Sequence, residues 1–141
     1  MQIKKLFILI SLISSTLYSN VGMVKTLTGK AEVKRAKKIV LLKEGSLLEN
    51  GDILFTKTES SIGITFDDGT RVSLGSKAIF VINKFIVKPD EKKYNVDLEL
   101  KKGKAVFSSG KIGKLAPKSV KFRIPTGVIG IRGTKFAVEA K

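Results

Sequence analysis

Two short stretches carry side chains of the kind that do chemistry. Ser108-Ser109-Gly110-Lys111 spaces a serine and a lysine three apart, which on a helical turn would let the amine take the hydroxyl proton. Asp67-Asp68 offers two carboxylates, an acid and a base if they face one another. Neither holds up against its surroundings. The serine–lysine pair sits between strand-like runs and lacks its usual companion motifs, so the match reads as chance. Adjacent residues of a strand or turn point apart, and Asp67 and Asp68 read as turn formers. The chain contains no histidine, cysteine or tryptophan. That removes the ordinary base near neutral pH, every thiol nucleophile and the ligands of a usual zinc site. The stretch 103–111 has the wrong glycine spacing for a phosphate-binding loop. The residues point away from an enzyme and call for no cofactor and no metal.

The elements that would position any site are strands. Ile62, Ile64 and Phe66 alternate along one run; Tyr94, Val96, Leu98 and Leu100 alternate against Asn95, Asp97, Glu99 and Lys101; Val120, Phe122 and Ile124 alternate against Lys121 and Arg123. A period of two with one apolar face marks half-buried strands. Turn signals fall at 28–29, 50–51, 67–69, 102–103 and 109–110, and Asp68-Gly69 suits a tight primed hairpin turn. About ten strands are expected: 21–27, 30–35, 39–43, 52–57, 61–66, 70–75, 78–87, 94–101, 104–108 and a glycine-broken 119–139. Residues 87–93 and 110–119 read as polar loops, and Phe66, Phe107, Phe122 and Phe136 as core. The fold class is all-β, one domain of short strands forming a solenoid-like roll or a two-sheet sandwich.

That domain is expected to span 20–141. Residues 1–19 have the layout of a signal peptide: Lys4 and Lys5, an apolar run from Leu6 to Leu17, then Ser19 at the cut. Twelve apolar residues reach about 18 Å as a helix, short of the roughly 30 Å of hydrocarbon, so cleavage is expected in place of anchoring, with no transmembrane span afterwards. The formal net charge is +15, nearly all from lysine. Such a surface either attracts polyanions or simply keeps sheet edges apart in solvent. Lys101, Lys102, Lys104, Lys111, Lys114, Lys118 and Lys121 are the residues that could form one basic patch. Base readout leans on arginine and single-strand binding on exposed aromatics. Only Arg35, Arg71, Arg123 and Arg132 are available, which argues against nucleic acid.

Three stretches stand in order with consistent spacers. Residues 48–56 read Leu-Glu-Asn-Gly51-Asp52-Ile-Leu-Phe-Thr56; residues 60–82 carry Asp68-Gly69-Thr70 and then Leu74-Gly75-Ser76; residues 124–138 carry Pro125-Thr126, Gly130 and Arg132-Gly133-Thr134. Together they resemble the FecR domain, over residues 21 to 140. The resemblance implies an all-β roll in the bacterial envelope, on the periplasmic side. In the regulator branch of that family a cytoplasmic segment controls a sigma factor. No such segment precedes the hydrophobic run here, so sigma-factor control is not carried over, and nothing among the residues supports a role in iron.

The last stretch, 123–141, sets Arg132 among strand formers, with glycines at 127, 130 and 133. Gly130 would allow a bulge or close backbone approach and Gly133 a turn. A partly buried guanidinium needs a carboxylate, and Asp52, Asp67 and Asp68 are the candidates. Arg132 is therefore expected to clasp the fold. The functional expectation is an exported, non-enzymatic module that docks or signals to an envelope protein partner by a sheet edge or face. The rival is a lysine-rich binder of anionic envelope polymers such as lipopolysaccharide.

Overall fold

A computed structural model describes residues 20–131 and 135–141. Among them are twelve strands: β1 (Asn20–Thr28), β2 (Ala31–Arg35), β3 (Lys38–Leu41), β4 (Leu47–Glu49), β5 (Ile53–Thr56), β6 (Ser61–Phe66), β7 (Arg71–Leu74), β8 (Ile79–Lys88), β9 (Lys93–Ser108), β10 (Val120–Ile124), β11 (Gly127–Ile129) and β12 (Lys135–Ala140). One short helix, α1 (Ile112–Leu115), follows β9. The protein is all-β, a mostly antiparallel sheet curled into a half-barrel. Its path runs β3-β2-β5-β8-β9-β7-β6-β1-β4, with β10, β11 and β12 attached through β9.

The inward positions are those the alternation picked out. Ile62, Ile64 and Phe66 of β6 and Val96, Leu98 and Leu100 of β9 are buried, as are Val120 and Phe122 of β10. Phe107 and Phe122 meet edge to face at 5.9 Å, and Phe136 stacks on Phe107 at 5.1 Å. Such offset and T-shaped pairs add to the burial of the rings themselves.

β9 is longer than its turn signal suggests. Lys102-Gly103 does not end the strand; Gly103 takes φ +96° inside it. A side chain there would stand 2.7 Å from the Cα of buried Ala78. The glycine bends β9, so that its first half pairs with β8 and, in parallel, β10, and its second half with β7 and β12. The expected loop at 110–119 is also structured: α1 forms there with Ile112 fully buried. The segment must return the chain to run parallel with β9, and a crossover of that kind packs an apolar residue against the sheet.

The hairpin between β6 and β7 corrects the turn geometry. Among its loop residues only Gly69 has positive φ, +88°. Gly69 N–H donates to Phe66 C=O at 2.9 Å and Phe66 N–H to Thr70 C=O at 2.8 Å. This is a three-residue loop closed by a left-handed glycine, not a two-residue primed turn. Asp68 decides it. Its carboxylate accepts from Thr70 N–H at 2.8 Å and Thr70 Oγ1 at 2.9 Å, a local turn that needs no positive φ at Asp68.

Candidate functional site

Among the described residues there is no grouping of carboxylates that could hold a metal ion. Attention falls on the motif residues and on the seam where the curled sheet stops short of closing.

Each motif turn is tied to a distant stretch. Gly51, at φ +90°, turns the chain between β4 and β5 and donates its N–H to Ile82 C=O at 2.6 Å. Thr56 Oγ1 donates to Gly75 C=O at 2.6 Å and accepts from Ala78 N–H at 2.8 Å, holding the turn after β7. Leu74 is core. Asp68 Oδ2 also accepts from Ile112 N–H at 3.0 Å, and Thr70 Oγ1 accepts from Gly110 N–H at 3.0 Å, so the β6–β7 loop seats the start of α1. Pro125 and Thr126 form the exposed two-residue link between β10 and β11. Gly130 is exposed, and among the described residues nothing lies within 4 Å of where a side chain would begin. Arg132, Gly133 and Thr134 lie outside the described residues.

Asp52 is fully buried, and its cation is Arg35, which no local sequence pattern marks. Arg35 Nε and Nη2 donate to Asp52 Oδ1 and Oδ2 at 2.8 and 2.6 Å, a fork-to-fork pair. The same Nη2 reaches Leu47 C=O at 3.1 Å, and Nε lies 3.3 Å from Glu49 Oε2. Glu49 N–H donates to Asp52 Oδ2 at 2.9 Å. The hydrogen bond to Asp52 holds the guanidinium protonated above its ordinary range, against the cost of its burial. Arg35 ends β2, next to one end of the sheet path, while Leu47 and Glu49 belong to β4 at the other. One arginine thus bridges the seam of the half-barrel. The clasp expected of Arg132 on Asp52, Asp67 or Asp68 lies outside the described residues.

A second fork, Arg123 on Asp97 at 2.8 and 2.9 Å, joins β10 to β9 on a more open face. The arginine's hydrogen bonds hold the Asp97 carboxyl below its usual range. A carboxyl with a depressed folded pKa contributes stability above its unfolded value near ~3.9 and loses it as pH falls through the lower folded value. Asp97→Asn is accordingly expected to melt lower than the parent at pH 7. The gap should close as a pH series in thermal melting descends below that range.

The two ends of the path, β3 and β4, are joined by residues 42–46 yet are not hydrogen-bonded to each other as strands. Between them lies a groove of about 360 Å³ lined by Val33, Arg35, Val40, Leu41, Leu47 and Glu49 among others. All four residues of β3 are exposed, with Ile39 at 63%, Val40 at 55% and Leu41 at 63%, and Leu47 across the groove at 52%. This is the one run of exposed large apolar side chains on consecutive residues among those described. On the sequence these residues look like an ordinary buried strand; only the topology reveals that β3 has a single neighbour.

The basic residues are less concentrated. Lys102 and Lys104 share a cleft of about 390 Å³ with Lys77 and Lys141, which the sequence did not single out, and with Glu139. Lys111, Lys114 and Lys118 lie on the connection from β9 to β10, and Lys121 stands on β10 opposite Asp97. Lys101 lies on β9. All seven are exposed.

Compared with known families, the chain matches the model described as FecR protein over residues 52–141. The chain belongs to the FecR family. No match was found among curated proteins or among solved structures. The FecR match begins at Asp52, the residue that Arg35 grips, and takes in β5 through β12. FecR proteins are a signalling and regulatory family working through protein contacts, and none of the described helices is long and apolar enough to cross a membrane. The β3 edge and its groove lie in the portion before the FecR match.

Proposed function

We propose that this chain is an exported, non-enzymatic FecR-type module that docks a protein partner in the bacterial envelope, with β3 as the contact. Residues 1–19 serve as its export signal and residues 20–141 as the periplasmic working domain. The observation that carries the reading is the open β3 edge. An exposed apolar edge strand invites aggregation unless a partner covers it, and strand addition is a recurring mode of recognition. Membership of a family that signals through protein contacts supports the same reading.

Site-specific photocrosslinking in living cells tests it. A photoreactive phenylalanine analogue at position 41 should give a discrete protein adduct, and the same analogue at position 118 should not. No adduct from position 41 would sink the proposal. The second reading, binding of anionic envelope polymer, is favoured by the lysine cleft around Lys102 and Lys104. It predicts lipopolysaccharide adducts from the lysine-rich side and retention that weakens steeply between low and moderate salt.

A further inference from the structure

The backbone of β3 shows which of its groups are free. Leu42 N–H donates to Ala31 C=O at 2.9 Å. An antiparallel ladder alternates bonded and outward residues, so Lys38, Val40 and Leu42 face β2, and Ile39 and Leu41 turn their N–H and C=O groups outward. β2 keeps the same alternation on its far side. Lys57 N–H donates to Lys30 C=O at 3.0 Å, setting Glu32 and Lys34 toward β5. Side chains follow suit. Val40 lies opposite buried Val33 and shares the inner face with the groove and Leu47, while Ile39 and Leu41 lie opposite Lys34 and Glu32 on the outer face. An added strand would therefore meet apolar surface on both of its faces for about three residues.

The charge around this edge has one sign left over. Glu32 pairs with Lys57 at 3.4 Å, Glu49 lies against Arg35, and Glu44 accepts from Leu27 N–H. Lys34, Lys37, Lys38 and Lys43 have no ion pair among the described residues. The turn into β3 is a two-residue hairpin loop, with Ala36 at φ +48° and Lys37 at φ +66°, the left-handed pair that a primed turn requires. Here the turn places Lys37 and Lys38 at the mouth of the edge.

From these groups, and resting on the docking reading above, we infer that the occupant of β3 is an extended segment of the partner protein, apolar at its centre and acidic at its ends. It pairs with the outward backbone of Ile39 and Leu41, packs an apolar side chain into the groove against Val40 and Leu47, and sets carboxylates against Lys37, Lys38 and Lys43. Self-pairing of two copies about Val40, which sets Ile39 of one against Leu41 of the other, places Lys37 of each copy opposite Lys43 of the other, and like charges directly opposite are destabilising.

The test uses the protein as its own cells make it and two fluorescein-labelled peptides. Both have a valine–threonine alternating core; one is bracketed by paired glutamates, the other by paired lysines. By fluorescence anisotropy at low salt the glutamate peptide should bind at least about ten-fold more tightly, with the difference shrinking as salt screens the charges. Ile39→Pro removes one outward N–H, leaves the donors to β2 in place, and should abolish binding without altering the fold by circular dichroism. Equal binding of the two peptides, or undiminished binding to Ile39→Pro, overturns the inference. So does a concentration-dependent dimer that Ile39→Pro abolishes, which would make the occupant a second copy. If the glutamate peptide fails while position 41 still gives its protein adduct, the acidic strand is wrong and docking stands. If both fail, the docking reading falls as well.

Discussion

Arg35→Met is expected to cost about 3 kcal/mol at pH 7 and lower the melting temperature by about 10 °C. The methionine keeps much of the volume and removes the charge, so among the described residues Asp52, fully buried, is left with Glu49 N–H as its remaining side-chain bond. An uncompensated buried carboxylate is the expensive part, more than the loss of the pair itself. A further result follows from that cause. The double variant Arg35→Met, Asp52→Leu should recover more than half of the loss, because no orphan charge remains. Thermal melting of the three proteins at pH 7 reads both. A wild-type melting temperature for Arg35→Met would remove Arg35 from its place as the bridge across the seam.

Gly110→Ala is expected to cost about 2–3 kcal/mol, while the same change at Gly130 stays within about 0.5 kcal/mol. A methyl on Gly110 would stand 2.3 Å from Asp68 O and 2.4 Å from Thr70 N, backbone atoms of a loop that cannot give way. It would push the start of α1 off the β6–β7 turn, stretching the bonds from Gly110 and Ile112 N–H and exposing Ile112. At Gly130 nothing among the described residues lies within 4 Å, and φ is not left-handed. Denaturant unfolding of both variants distinguishes them. Equal effects would mean that the docking of α1 on Asp68 and Thr70 is not part of what holds the fold.

These two sites also mark how far the chain could be read without coordinates. The alternation at 62–66, 96–100 and 120–122 located buried positions directly, because a strand's side-chain period is a local property. The location of the Asp67–Gly69 turn was equally legible. Its geometry was not, since Asp68 spends its carboxylate on Thr70 and Ile112, and the second of these lies 44 residues away. Gly110 looked like loop punctuation for the same reason: its constraint comes from a turn far along the chain. Among the arginines, Arg132 drew attention by sitting inside a strand-forming run. Arg35 carries no such signal: it meets Asp52 because β2 pairs with β5 in a register that sets Lys34 opposite Ile53, and it reaches Leu47 and Glu49 only because the sheet curls until β2 and β4 face each other across a seam. Ile39, Val40 and Leu41 read as strand from the sequence and are strand. That they lie at an edge follows from strand order, which no local pattern records.

The most direct measurement is residue-resolved amide hydrogen exchange along β3, in the free protein and with its envelope partner bound. The account predicts slow exchange at Val40 and Leu42 in both states. At Ile39 and Leu41 it predicts fast exchange in the free protein and strong protection on binding. Fast exchange at Ile39 and Leu41 in the bound state, with protection arising elsewhere on the surface, would contradict it.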